Sequence, residues 1–292
     1  MSLTVKHSST ANNQNETEPM NIDRHTFNKD GFVLITSLFT REEVGQVRQD
    51  AKGVFIRQMM NSGLLPNLTP TEVEFEAAVY QFFVKDQAAF INCGKQIQHL
   101  VSLHRLGVDE RVLELMKAYG IKVPCISTRP VLFFNSRHLA TKEVYWKTPP
   151  HQDWRSIQGS LNSLVLRLPL VDINASLGAL EIVPGSHRRG LLSTRLDESF
   201  GVVDNIADEE FVSVPVSAGD ALLFSTFLIH RSGNNTTHSI RWSCHFRYND
   251  LDEDTFIKRH YPHTYLYKPK DEIITPGFPN VSELESAFPL HS

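Results

Sequence analysis

The chain has 292 residues, enough to bury a sizeable apolar core, and its 29 Lys and Arg nearly balance 33 Asp and Glu, leaving a formal net charge of −4. That balance argues against a general nucleic-acid or membrane-surface binder, which carries a basic excess. No apolar run reaches the ~20 residues of a membrane span, the first residues lack an apolar signal core, and the three cysteines (Cys93, Cys125, Cys244) form no zinc-type pair, so a reduced, cytoplasmic setting without nucleic-acid or membrane partners is expected.

Along the chain, residues 1 to about 22 are dominated by Ser, Thr, Asn and Gln, too polar to fold, and are expected to form a disordered arm. Residues 23–292 read as one domain. Gly31-Phe32-Val33-Leu34-Ile35 predicts a short buried strand. Thr40 with Glu43 three residues on is a capping box, which satisfies free amides at a helix start. Val44, Val47, Ala51, Val54 and Phe55 follow at helical spacing. A second helical region is predicted over 71–103 and a third over 109–119. From about residue 121 short apolar runs alternate with Gly, Pro, Asn and Asp, at 131–134, 164–171, 179–183, 211–216, 221–224 and 240–248. Short strands so spaced predict a double-sheet jelly roll, a double-stranded β-helix of cupin type. With the helices first and packed on one face, the class is α+β with a mainly β core.

Three places carry chemistry. In His151-Gln152-Asp153 an extended backbone would turn residues i and i+2 to the same side, so the imidazole and the carboxylate could share one ion. The same spacing also suits a surface loop after Pro149-Pro150. His230 follows the apolar run 221–224 at the end of a predicted strand, where sites on sheet proteins tend to lie. Two histidines and one carboxylate on one face of a metal leave positions open, the facial triad of non-haem iron(II) oxygenases. Arg241 lies eleven residues after His230 in a run that alternates: Ile240, Trp242, Cys244, Phe246 and Tyr248 on one face, Arg241, Ser243, His245 and Arg247 on the other. An arginine directed into a barrel needs a partner. A bound carboxylate would supply one through the guanidinium fork. The alternative is a solvated polar face on an edge strand.

These blocks, with Asp30-Gly31-Phe32-Val33-Leu34-Ile35, Gly178-Ala179-Leu180-Glu181-Ile182-Val183-Pro184-Gly185-Ser186-His187 and Ala218-Gly219-Asp220-Ala221-Leu222-Leu223-Phe224, resemble the phytanoyl-CoA dioxygenase family over about residues 24 to 250. The resemblance implies an oxygenase with iron(II) on His151, Asp153 and His230, and with 2-oxoglutarate and dioxygen as co-substrates. It implies that the far carboxylate of 2-oxoglutarate meets Arg241, with the Ser232 hydroxyl as a second contact. It would bring the turn at Pro184 to His187 near the pocket, with His187 either lining it or stabilising the turn. Trp154 either walls the pocket or packs. Some relatives are halogenases, in which a small residue replaces the carboxylate. Asp153 stands at that position here, which favours hydroxylation or another oxidation over halogenation.

The expected substrate is a small or medium-sized polar molecule carrying an acidic group. Among the arginines flanking the site, Arg167 interrupts the apolar run Leu164-Val165-Leu166-Arg167-Leu168. It should either point into the pocket or pair with an internal acid such as Asp172 or Glu181. Two rival readings are a metal-dependent isomerase or hydrolase of cupin type, which has no need of Arg241, and a non-catalytic jelly-roll binding module, which has no need of the triad. The oligomeric state is not legible in the sequence.

Overall fold

The computed structural model of the protein describes residues 22–140, 147–194, 201–202, 205–263 and 275–290. Apart from Ile22, the arm expected at the N-terminus lies outside them. Helix α1 (Arg24–Asp30) starts on Asp23, whose carboxylate accepts from Thr26 N at 2.9 Å, and leads through Gly31 into β1 (Phe32–Ile35). Helix α2 (Arg41–Asn61) opens with the expected capping box: Thr40 Oγ1 accepts from Glu43 N at 3.1 Å, and Glu43 Oε2 accepts from Thr40 N at 2.7 Å. Its buried stripe is Val44, Val47, Ala51 and Phe55. Lys52 is buried beside it with its ammonium on Glu72 at 2.8 Å, so the stem packs while the charge stays paired.

The second helical region is not continuous. It divides into α3 (Glu72–Lys85), α4 (Gln87–Gln96) and α5 (Val101–Gly107). Asp86 makes the first break: its backbone N–H closes α3 on Phe82 O while its side chain accepts from Ala89 N at 3.0 Å to open α4. A short acidic side chain that caps one helix in this way competes with continuing the previous one. Helix α6 (Glu110–Ala118) fills the third region.

The strands follow as β2 (Pro124–Asn135), β3 (Leu164–Pro169), β4 (Leu180–Ile182), β5 (Val212–Val214), β6 (Ala221–Ser225), β7 (His230–Ser232) and β8 (Arg241–Asp250). Among the described residues they form two antiparallel sheets, one ordered β1-β6-β3-β8-β2 and the other β5-β4-β7. This is the double-sheet jelly roll with helices on one face. No described helix is long and apolar enough to cross a membrane.

Strand β8 is the element that organises the rest. It is an interior strand, paired with β3 on one side and β2 on the other, so the edge-strand alternative for Arg241 does not hold. Its Trp242, Cys244, Phe246 and Tyr248 are buried in the core shared with the helices. There Phe134 stacks on Trp242 at 5.3 Å and meets Phe55 of α2 at 4.7 Å and Phe90 of α4 at 5.5 Å. Full burial of each such side chain contributes about 1.5–3 kcal/mol, which fixes the helix layer to the sheet. The opposite face carries Arg241, Ser243, His245 and Arg247.

Gly31 bears on how the termini pack. Its φ is +82°, and a Cβ there would fall inside van der Waals contact with the His187 ring and 2.9 Å from Leu228 Cδ1. We expect Gly31→Ala to lower stability by about 1–3 kcal/mol through left-handed backbone strain and overpacking together. The thermal midpoint checks this: it should drop by several degrees, and an unchanged midpoint would mean the turn yields freely.

Candidate active site

His230 begins β7, and the backbone of His151 lies against it as an isolated antiparallel bridge: His151 N donates to His230 O at 2.9 Å and His230 N to His151 O at 3.1 Å. The two rings are therefore neighbours, 4.1 Å apart. Each ring is oriented by its own chain. His151 Nδ1 is 2.8 Å from Pro149 O and His230 Nδ1 is 2.9 Å from Leu228 O. A carbonyl can only accept, so each Nδ1 carries the proton and each Nε2 presents its lone pair. Burial above all holds His151 below the usual histidine range and takes His230 down to about 3. Both rings are neutral, the form that binds metal.

Asp153 reaches the same point by a route that the spacing does not foretell. Its backbone is helical, φ −66° and ψ −28°, and it stands at the head of the short helix α7 (Trp154–Ile157). The expected extended alternation over His151-Gln152-Asp153 is therefore not what brings the pair together. Gln152 does it instead. Its buried amide donates to Gly190 O at 2.9 Å and Phe227 O at 2.8 Å and accepts from Leu192 N at 2.9 Å. Pinned so, Gln152 fixes the chain between the two flanking side chains. His151, Asp153 and His230 each offer one ligand atom, all within 4.8 Å of one another.

Sequence reasoning gave Arg247 no primary role. It forms a two-point ion pair with Asp153, Nε to Oδ2 at 3.1 Å and Nη2 to Oδ1 at 3.2 Å. Burial alone would raise the Asp153 carboxyl, but Arg247 and the two histidines outweigh it and hold the group well below the usual carboxylate range. The inward phase of β8 was legible; that Asp153 would lie opposite its seventh residue was not.

Arg241 enters the barrel from the start of β8 and is 5% exposed. Its Nε donates to Asn135 Oδ1 at 3.1 Å, and Nη1 donates to the Gly178 carbonyl and, at 3.4 Å, to Gly233 O. Ser232 Oγ lies 3.5 Å from Nη2 and 2.7 Å from Thr148 Oγ1. Gly178 has to be glycine: its φ is +83° and a Cβ would sit 2.8 Å from Arg241 Nη1. Burial brings Arg241 down to about 10, still charged at neutral pH. Among the described residues no acid pairs with it.

Trp154 and His187, singled out as pocket candidates, are placed in packing. Trp154 is fully buried, stacks on Phe227 at 5.2 Å, and donates through Nε1 to Ser160 O at 3.3 Å. His187 lies against Asn28 O at 3.1 Å and edge-on to Phe288 at 4.8 Å, joining α1 to the C-terminal helix Val281–Ala287. Of the two readings open to each in sequence, these contacts match packing for Trp154 and a structural hydrogen bond for His187. Arg167 is buried within β3 with an inward neighbour, His245, opposite it on β8.

Two neutral histidines and one ionised carboxylate converging inside a jelly roll are placed to hold a single metal ion. The phytanoyl-CoA dioxygenase family model matches residues 27–243, and the chain belongs to that family. Among curated relatives it is 30% identical over 112 residues to a methylphosphonate hydroxylase of Gimesia maris (38% of this chain, 42% of that protein). It is 33% identical over 131 residues to a 1-deoxypentalenic acid 11-beta-hydroxylase of Streptomyces arenae (41% of this chain, 46% of that protein). The chain thus spans under half the length of either. Two solved structures share the fold at 19% identity and a TM-score of 0.50. One is the epimerase SnoN in complex with Fe3+, alpha ketoglutarate and nogalamycin RO, covering 78% of this chain and 82% of that one. The other is EctD from S. alaskensis with 2-oxoglutarate and 5-hydroxyectoine, covering 85% and 80%.

Proposed function

We propose that the protein is a non-haem iron(II), 2-oxoglutarate-dependent dioxygenase that hydroxylates an aliphatic carbon of a small molecule. Residues 23–292 act as its one catalytic domain. The observation that carries the reading is the pairing of two features in one barrel: the converging His151, Asp153 and His230, and the buried Arg241, which no acid among the described residues pairs with. His151 Nε2, His230 Nε2 and an Asp153 oxygen would hold iron, a donor set of the right chemistry for that ion with positions left for co-substrate and dioxygen. Arg241, with Ser232, would take the far carboxylate of 2-oxoglutarate through charge-assisted hydrogen bonds. Iron and 2-oxoglutarate, when bound, would supply the oxidising power with dioxygen, so that 2-oxoglutarate leaves as succinate and carbon dioxide and the substrate C–H bond becomes an alcohol. The chain's own part is positioning and water exclusion. Phe224, edge-on to His230 at 5.0 Å, and the apolar cluster of Val165, Leu180, Ile182 and Leu222 keep the interior dry. The family membership and the two hydroxylases among the relatives support the same class.

A cupin-type isomerase or hydrolase would leave Arg241 without purpose, and a binding module would leave the triad so. The deciding experiment is oxygen-free purification with metal analysis, followed by succinate assay. Stoichiometric iron with 2-oxoglutarate-dependent succinate release supports the proposal; iron without any succinate under any substrate sinks it.

Arg247 is a positioning residue in this scheme, since it acts through Asp153. Arg247→Met should weaken iron(II) or cobalt(II) binding by about 10–100-fold, as loss of a ligand's supporting contact does, with Arg247→Lys retaining part of the affinity. Direct metal titration reads this without reference to turnover. Equal affinity in Arg247→Met and wild type would leave the ion pair a purely structural contact.

A further inference from the structure

Arg167 is the least satisfied charge in the barrel. It is 4% exposed, its Nε is buried without a partner, and among the described residues it makes no hydrogen bond or ion pair. The two acids that might have matched it are engaged elsewhere: Asp172 holds Arg41 at 2.8 Å on the surface, and Glu181 holds Arg231 at 2.6 Å. Its register neighbours are His245 on β8 and Leu222 on β6. Phe133 flanks His245 at 4.7 Å, and burial above all, then the charges of Arg167 and Arg247, keep the His245 ring neutral. Burial, and then the nearby charge of Arg241, lower Arg167 to about 9, which leaves it charged at neutral pH. Removing a guanidinium from water without an anion is strongly unfavourable. A fold that keeps one inside its barrel is suited to an anion that arrives with a ligand.

The loaded site does not cancel that charge. Arg167, Arg241 and Arg247 with a divalent metal carry five positive charges; Asp153 and a 2-oxoglutarate dianion carry three negative ones, so two positive charges remain. We propose that the substrate is a small organic acid whose carboxylate or phosphonate sits on Arg167, bringing an aliphatic carbon towards His151, Asp153 and His230. The inference rests on the dioxygenase reading and adds the substrate's chemical class. Arg167 is then a substrate-binding residue distinct from Arg241: one guanidinium receives the co-substrate and the other the substrate.

The test uses holoprotein loaded without oxygen with iron(II) and 2-oxoglutarate. On wild type, short alkanoates and alkylphosphonates are compared with their neutral amides and dimethyl esters. The readouts are the perturbed visible charge-transfer absorbance of the metal–co-substrate pair and, on admitting dioxygen, accelerated succinate release. Acids should act and neutral counterparts should not, and the two acid series tell carboxylate from phosphonate. In Arg167→Met the half-saturating concentration of the active acid should rise about 10–100-fold, while the 2-oxoglutarate dissociation constant keeps its wild-type value and Arg167→Lys recovers part of the loss. Neutral probes acting as well as acids would overturn the proposal. So would an Arg167→Met variant that weakens 2-oxoglutarate and leaves the acid response intact, which would make Arg167 a second contact to the co-substrate. Should that variant fail to fold, the comparison of acids with neutral probes on wild type still decides. A wild type that binds 2-oxoglutarate but responds to no acid sinks this inference alone; one that binds no 2-oxoglutarate sinks the dioxygenase reading and this inference with it.

Discussion

Alanine in place of His151, Asp153 or His230 is expected to bring 2-oxoglutarate-dependent succinate release to the rate of a protein-free blank. The donors act as one unit, so loss of any one should be nearly as damaging as loss of all three. Metal affinity should fall by more than the roughly 100-fold that loss of a supporting contact costs. The histidine variants should still fold, because each Nδ1 contact runs to a carbonyl only two residues earlier in the same chain segment, at Pro149 and Leu228, and ties no distant elements together. Asp153→Ala differs in kind. It leaves the part-buried Arg247 unmatched, and removing one partner of a pair this far from water destabilises by up to about 3 kcal/mol. Asp153→Asn, which keeps the shape and some of the hydrogen bonding, is the better-controlled variant. Circular dichroism beside metal titration separates a lost site from a lost fold. Near-normal turnover in two of the three positions would refute the assignment.

The second large effect belongs to Arg241. Truncation to alanine removes a charge-assisted contact to a buried carboxylate, a loss of about 2–5 kcal/mol, so the apparent KM for 2-oxoglutarate should rise by at least about 30-fold. Metal affinity should stay near wild type, since the contacts of Arg241 run to Asn135, Gly178, Gly233 and Ser232 and not to the triad. That split is the useful part of the test. A variant that lost metal as well would point to collapse of the β8 end of the barrel, and an unchanged KM would move the carboxylate partner elsewhere.

The parts of this molecule that local chemistry decides could be read from sequence. The capping box at Thr40 and Glu43 is a short-range hydrogen-bond pattern, and the alternation of β8 is a consequence of the pleat. The inward phase of Arg241 follows directly from that alternation. What could not be read is whatever depends on the far side of a contact. Period two shows that Arg247 faces inward but is silent on Asp153, ninety-four positions earlier. The i, i+2 argument for His151 and Asp153 reached the right neighbours through the wrong backbone, because the helical turn at Asp153 is set by where Gln152 is anchored, at Gly190, Leu192 and Phe227. Trp154 and His187 each allow a pocket reading and a packing one in sequence, and the partners they pack on, Phe227 and Phe288, lie far along the chain where spacing gives no signal.

Because Arg241 and Arg247 share one strand, the separation of their backbones is a fixed length, six residues or about 20 Å at the rise of an antiparallel strand. Both ends of the proposed site are thus graduations on one ruler. The ruler cannot slide: a shift by one residue would drive Trp242 into the polar interior and the arginines into the aromatic helix layer. Its neighbour β3 holds it in unbroken register from Leu164–Tyr248 to Pro169–Ser243. All the slack lies on the other side, where β2 slips against β8 twice, between Ile126 and Thr128 and between Thr128 and Val131. Insertions or deletions should therefore be tolerated in that stretch of β2 and in no part of β8, so a change in the size of molecule the barrel admits would be accommodated at β2 while the spacing of the two arginines stays constant.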